Sequence, residues 1–305
     1  MNEFQIYSPE EQFHDPLFTD KGIRVFLKRD DMIHPFISGN KWRKLKLNIQ
    51  EAKNKNQDHL VTFGGVWSNH LLATACAAAK YGLKSTAFVR GEDVNSDVLV
   101  LCRVFGMELI FTDRTAYRDK KTLFDEKFSQ DPKAIFIDEG GAGYHAMQGC
   151  ADIVAELKRP YDHLFCAAGT GTTFAGLVKG MQDAHLYTHC HCIPVLKGAD
   201  FLKEEINAYF DSPPSYSFHN DYNFGGYART TTELLEFIGY FTSKTGILLD
   251  PVYTGKMMFA LYDLIRKDHF PKGSTILAIH TGGLFGLLGM KEQIADALKG
   301  SQRAT

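Results

Sequence analysis

The chain has 305 residues, a formal net charge of −2 and a hydrophobic content of 44%. That length allows two domains with separate cores, and a near-neutral charge without a long basic run argues against nucleic acid or an anionic membrane as the main partner. No stretch of about 18 uninterrupted apolar residues is present, and Met1–Gln5 lacks a basic start followed by an apolar core, so neither a membrane span nor a secretion signal is expected.

In chain order, the first segment with chemical content is Ser38-Gly39-Asn40-Lys41-Trp42-Arg43-Lys44-Leu45. It sets Lys41 in a Gly-Asn turn with Arg43 and Lys44 close by. Neighbouring cations and partial burial lower a lysine pKa and free its amine for Schiff-base chemistry. A basic surface turn accounts for the segment equally well on its own. A buried strand follows at His59–Phe63, then Gly64-Gly65, and a helix through Leu71–Tyr81 that Gly82 stops. Further strands are predicted at Ser85–Val89, Glu108–Phe111 and Ala134–Ile137, with a helix around Asp97–Val104. The second half repeats this rhythm, with strands at His163–Ala167, Cys190–Val195 and Thr275–Ile279 and helices near Phe174–Gln182, Thr231–Lys244 and Gly255–Lys267. Strands alternating with helices predict an α/β protein with open, twisted, mostly parallel sheets, whose ligands lie beyond the carboxyl ends of the strands.

The cysteines, Cys76, Cys102, Cys150, Cys166, Cys190 and Cys192, are scattered without disulfide or metal-ligand spacing, which suits reduced thiols in the cytoplasm. The run His189-Cys190-His191-Cys192 reads as a strand whose alternate side chains diverge, so no metal is expected there.

Five turns at strand ends carry the functional reading. Gly169-Thr170-Gly171-Thr172-Thr173 precedes a helix, and its exposed N–H groups suit a phosphate monoester; position 174 is Phe, which departs from a dinucleotide fingerprint. A Gly/Thr-rich connecting loop is the competing account. Gly64-Gly65-Val66-Trp67-Ser68-Asn69-His70 offers helix-capping residues that double as a carboxylate cradle. Asp250-Pro251-Val252-Tyr253-Thr254-Gly255-Lys256 holds a tyrosine, which is either a positioned acid or base or a half-buried core residue. Phe224-Gly225-Gly226-Tyr227-Ala228 and His280-Thr281-Gly282-Gly283 add a second tyrosine and a hydroxyl. A lysine, a monophosphate loop and a helix start for an anion are together what pyridoxal phosphate requires.

These motifs, with Lys28-Arg29-Asp30-Asp31 before them, resemble in order the fold type II, tryptophan synthase β-like enzymes that use pyridoxal 5′-phosphate. Within these, the chain is similar to the D-cysteine desulfhydrase and 1-aminocyclopropane-1-carboxylate (ACC) deaminase family. The resemblance implies that Lys41 forms the Schiff base and that Lys44 with Gly169, Thr170, Gly171, Thr172 and Thr173 holds the phosphate. Asn69 would meet the ring hydroxyl, Ser68 the substrate carboxylate, and Trp67 and His70 would border the substrate. Tyr227 and Tyr253 would flank it, and Thr281 would lie near the pyridine nitrogen. ACC deaminases typically carry Glu where this chain has Thr254. A hydroxyl beside the pyridine nitrogen gives a weaker electron sink than a carboxylate, which suits β-elimination more than ring opening. Trp67 departs from the Gln usual before Ser-Asn and is expected to face the pocket and restrict it.

The expected organisation is a large cofactor-binding domain of residues 1–45 plus 149–305 and a small domain of residues 46–148, with the cofactor between them. The expected reaction converts a small amino acid, D-cysteine foremost, into pyruvate, ammonia and hydrogen sulfide. ACC deamination is the alternative, and a non-catalytic binder of pyridoxal phosphate or amino acids is the alternative of another class. A homodimer belongs to the same set of expectations.

Overall fold

A computed structural model describes residues 5–301, with side chains through Lys299. In chain order its elements are β1 (Glu10–Phe13), α1 (Pro16–Lys21), β2 (Arg24–Lys28), α2 (Asn40–Asn54), β3 (His59–Gly65), α3 (Asn69–Tyr81) and β4 (Lys84–Arg90). Then come α4 (Asp97–Val104), β5 (Glu108–Thr112), α5 (Lys120–Phe128), β6 (Ala134–Phe136), α6 (Tyr144–Ala155), β7 (His163–Ala168) and α7 (Thr172–Asp183). The chain finishes with β8 (His189–Pro194), α8 (Phe201–Asn207), β9 (Ser217–Phe218), α9 (Thr232–Thr245), α10 (Thr254–Arg266), β10 (Thr275–Ile279) and α11 (Lys291–Ser301).

Two sheets result. One has the order β1-β2-β10-β7-β8-β9, and the other β5-β4-β3-β6. Every pairing is parallel except that of β1 with β2, the short hairpin-like edge before the first crossover. Parallel strands covered on both faces read as near-continuous apolar runs, and the central β7 and β10 are buried at every position after the first. Val25 and Leu27 of β2 point to one side of the larger sheet with Phe165 and Ile276, while Phe26, Leu164 and Leu277 point to the other.

The helices follow from local chemistry. Ser68 caps α3 by accepting from Leu71 N, an alanine-rich stretch lets it lie buried against the smaller sheet, and Gly82 ends it at φ 66°. The backbones of α2 and α6 touch at Gly149, where a Cβ would stand 2.0 Å from Arg43 O. At Gly176 of α7 it would stand 2.5 Å from Met147 O of α6. Only glycine permits contacts that close, so α2, α6 and α7 pack as one bundle that joins the two sheets.

The run at 189–192 lies in β8 as read, with Cys190 and Cys192 in the apolar cluster on one face. His191 turns to the other face and joins a ladder of rings. His163 Nδ1 lies 3.1 Å from His191 Nε2, His191 Nδ1 lies 2.9 Å from His219 Nε2, and His191 stacks on Phe165 at 4.3 Å. Burial, then the neighbouring histidines, holds His191 well below its ordinary value; the same causes bring His219 to about 4. The unfolded chain therefore binds protons near pH 6.5 that the folded ladder refuses, and stability is lost as pH falls from about 6.5 towards 4. Replacing His191 with Phe keeps the stack and removes one such group. The melting temperature of His191→Phe should fall less steeply with acidification over that window than that of the parent, and an identical slope would clear the ladder of responsibility.

Candidate active site

A cavity of about 690 Å³ opens where the carboxyl ends of the two sheets face each other. Gly65 and Arg90 end β3 and β4 on one side; on the other, Ala168 ends β7, and Leu196 and Thr281 follow β8 and β10.

Lys41 reaches this cavity from the first turn of α2. The turn in front of it is tight because Gly39, at φ 59°, lies against the Thr281–Gly282 segment, where a Cβ would stand 1.9 Å from Thr281 O. Lys41 Nζ donates to Asn40 Oδ1 at 2.7 Å and lies 6.0 Å from the centre of the Tyr253 ring. Burial lowers its pKa to about 7; Lys44 adds to the effect and Asp250 opposes it. The amine is thus substantially neutral at physiological pH. The expectation that Arg43 contributes to this is corrected. Helical spacing turns Arg43 to the opposite side of α2, where its guanidinium is fully buried against Asp30 and Glu156.

Lys44 returns to the cavity one turn later, donating to Gly140 O at 2.8 Å and lying 3.4 Å from Thr170 Oγ1. Across from it, Gly169, Thr170, Gly171 and Thr173 line the cavity at the start of α7. Gly171 has φ 74°, and a Cβ there would stand 2.7 Å from Ile206 Cγ1. Asn40 Nδ2 donates to Thr173 Oγ1 at 2.9 Å, tying the lysine turn to this loop. Thr172 alone among these residues does not line the cavity: its buried hydroxyl lies 3.2 Å from Tyr209 Oη and 3.3 Å from Thr170 Oγ1.

Trp67, Ser68, Asn69 and His70 border the cavity from the small-sheet side. Asn69 Oδ1 and His70 Nδ1 are buried without a protein partner. Thr62 Oγ1 donates to Ile137 O and so accepts from His70 Nε2 at 2.8 Å, which leaves Nδ1 as the bare acceptor. Burial and then Lys41 and Lys44 keep this imidazole neutral. Trp67 is 36% exposed, lies in none of the core clusters, and lays its ring on Gly289, where a Cβ would stand 2.8 Å from Cδ2. Tyr227 and Tyr253 meet edge to face at 6.1 Å. Burial raises both phenols, Tyr253 well above its ordinary value, so both remain protonated at neutral pH.

Thr254 requires a second correction. It is fully buried and does not line the cavity. Its hydroxyl donates to Asp250 Oδ1 at 2.7 Å and accepts from Asp250 N at 2.9 Å, closing the turn that leads into α10. After β10 it is Thr281, not Thr254, that lines the cavity. Sequence reasoning also missed Arg90 and Glu139. Arg90 stands at the end of β4 with its guanidinium 5.4 Å from the centre of the Tyr117 ring, and Glu139 precedes Gly140 and Gly141. The Arg90-Gly91 and Glu139-Gly140-Gly141 strand ends were the available signals.

Two anion-accepting turns, a near-neutral buried lysine and unsatisfied polar atoms in one cavity define a site for a phosphorylated cofactor that reacts with amines. The sequence pattern described as "Pyridoxal-phosphate dependent enzyme" matches residues 13–282. A putative 1-aminocyclopropane-1-carboxylate deaminase of Pyrococcus abyssi is 31% identical over 94% of this chain and 92% of its own length. The bifunctional D-cysteine desulfhydrase/1-aminocyclopropane-1-carboxylate deaminase of Arabidopsis thaliana is 31% identical over 91% of this chain and 76% of its own. A crystal structure of an ACC deaminase homologue superposes with a TM-score of 0.83 at 29% identity, covering 95% of this chain and 93% of that one. This chain belongs to the pyridoxal-phosphate-dependent enzymes, in the fold type II architecture that its neighbours share. The cavity fits the cofactor, since the Gly169–Thr173 turn and Lys44 supply donors for a phosphate, and Asn69 and His70 hold polar atoms that the protein leaves unmatched.

Reduction of the cofactor-loaded protein with borohydride, followed by peptide mapping, should label Lys41. In the cofactor-free protein, the rate at which the same residue is arylated should titrate with a midpoint near pH 7, as its depressed pKa demands. A label on Lys44 or Lys256, or a midpoint above about 9, the region of an ordinary exposed lysine, would refute the assignment.

Proposed function

We propose that the enzyme catalyses α,β-elimination on a small amino acid, with D-cysteine the foremost substrate, giving pyruvate, ammonia and hydrogen sulfide with uptake of water. The observation that carries this reading is the Thr281 hydroxyl on the large-sheet side of the cavity, where the only acidic lining residue among those described is Glu139, across from it near β6. When bound, pyridoxal phosphate supplies an aldehyde that captures the substrate amine and a ring that draws off the electrons released at Cα. A hydroxyl partner leaves that ring a modest sink, sufficient where a leaving group departs at once.

The residues divide the remaining work. The free N–H groups at the start of α3, with the Ser68 hydroxyl, bind the substrate carboxylate. Lys41 Nζ, near neutral, takes the proton from Cα. Tyr227 and Tyr253, held protonated, keep a proton where the β-substituent leaves. Lys44 and the 169–173 turn anchor the phosphate. Trp67 narrows the substrate side. ACC deamination is the second reading, supported by the names of the Pyrococcus relative and of the structural neighbour. We take residues 1–45 plus 149–305 and 46–148 as the two units that close on the substrate. A homodimer and a cytoplasmic location complete the reading. The six cysteines are buried free thiols, which suits a reducing compartment, and no described helix is long and apolar enough to cross a membrane.

A release assay for pyruvate, 2-oxobutanoate and sulfide across D- and L-cysteine, D- and L-serine, β-chloro-D-alanine and ACC tests this directly. Turnover of D-cysteine well above ACC is expected, and robust ACC turnover with inert D-cysteine would reverse the order of the two readings. Because Trp67 lies against Gly289 at the cavity rather than in a core cluster, Trp67→Gln should raise turnover of D-cysteine about tenfold, a barrier change of about 1.4 kcal/mol, with a small change in melting temperature. A destabilised variant with unchanged substrate preference would sink the gate role of Trp67.

A further inference from the structure

We propose that Lys256 is the positioning residue for Tyr227, fastening the loop that carries this tyrosine to α10. The inference rests on the reading of Tyr227 as a substrate-flanking residue.

Lys256 is a fully buried ammonium whose bonds are to the main chain: its Nζ donates to Asn223 O and to Gly226 O, each at 2.8 Å. Burial lowers its pKa to about 8, with Asp250 acting the other way, so it remains mostly charged at neutral pH. A buried charge is retained only where its donors are used, and here they close the two ends of one turn. That turn needs closing. Phe224, Gly225, Gly226 and Ala228 all have positive φ, at 52°, 90°, 116° and 53°, and two of them carry a Cβ. Strained backbone of this kind persists only where its surroundings over-determine it.

The surroundings are one face of α10. Residues 253, 256, 259 and 263 follow the spacing of a single helical face. Their partners are successive parts of the loop. Tyr253 meets Tyr227 at 6.1 Å, Phe259 meets Phe224 edge-on at 5.0 Å, and Asp263 accepts from Tyr222 Oη at 2.7 Å. Lys256 lies between the apolar contact and the tyrosine pair. It is the polar fastener nearest the cavity, and it neither lines the cavity nor touches the substrate side itself. The turn's own bonds, Gly226 N to Asn223 O at 3.0 Å and Arg229 N to Gly226 O at 3.1 Å, use the same two carbonyls. The ammonium therefore polarises the acceptors that define the turn and fixes the direction in which Tyr227 leaves it.

The test is a double-mutant cycle on the holoenzyme with β-chloro-D-alanine, using Lys256→Met, Tyr227→Phe and the pair, with cofactor absorbance and melting temperature followed alongside. Lys256→Met is expected to lower kcat about tenfold with KM and cofactor retention within about threefold, and to cost less than about threefold further in the Tyr227→Phe background. Losses that multiply in the pair, or a Lys256→Met enzyme as fast as the parent, would overturn the proposal. A Tyr227→Phe enzyme as fast as the parent would remove the role of Tyr227 and the proposal with it. If Lys256→Met does not fold, Lys256→Gln, whose uncharged amide is one atom shorter and cannot hold both carbonyls as the ammonium does, enters the same cycle and is read in the same way.

Discussion

The buried ion cluster around Arg43 is the constraint on which the rest of the structure depends. Arg43 bonds both oxygens of Asp30, at 2.9 and 3.1 Å, and Glu156 at 2.7 Å. Lys28 completes the set by donating to Glu156 at 3.0 Å. Burial alone would raise the Glu156 carboxyl, but Arg43 and Lys28 outweigh it and hold it below its ordinary range. Removing one partner of such a cluster strands a buried charge and costs about 3–5 kcal/mol, a large share of a protein's net stability. The cluster links the end of β2, the first turns of α2 and the end of α6. It therefore fixes both where α2 starts and how it is rotated. With Arg43 locked inward, helical geometry leaves Lys41 and Lys44 no direction but towards the cavity.

The cavity's electrostatics follow from that rotation. Burial depresses both lysines, Lys44 adds to the effect on Lys41, and burial followed by the two lysines keeps His70 neutral. A pocket whose two lysines are held below their ordinary values suits the phosphate binding and the amine chemistry proposed above. Asp250 is the nearby acid that offsets Lys41, yet its oxygens are committed to the backbone N–H groups of Val252, Tyr253 and Thr254. It tempers the lysine without pairing with it, so the amine remains available.

The alternation of strands and helices, the glycine turns and the lysine motif were legible in the sequence because each is local. Apolar runs, caps and glycine stops act within a few residues, and α4 falls on Asp97–Val104 as read. The role of Arg43 was not legible, because its partner Glu156 lies 113 residues away. Proximity in sequence suggested a cation acting on Lys41, while the fold spends that charge elsewhere. Thr254 misled for a related reason. Residues after a tyrosine in a turn can face the site or close the turn, and a short hydroxyl next to Asp250 does the second. Arg90 and Glu139 were missed because a charged residue at a strand end reads as solvent-facing until a second sheet is placed opposite it.

Interlocking of loops turns these local pieces into one site. Gly39 sits against Thr281 O, and a Cβ on Gly282 would stand 2.1 Å from Ser38 Oγ, so the lysine turn and the hydroxyl turn after β10 exclude any side chain between them. A Cβ on Gly283 would approach Asn69 Nδ2 to 2.9 Å, bringing the start of α3 against the same strap. Three turns from three distant parts of the chain thus meet at glycines, with hydrogen bonds from Asn40 N to Thr281 O and from Gly283 N to Ser38 Oγ across the contact. Protein interiors are close-packed and transmit small displacements rather than absorbing them. The strap that follows β10 therefore holds Lys41, Thr281 and Asn69 in one mutual geometry at the cavity that Trp67 and Gly289 border.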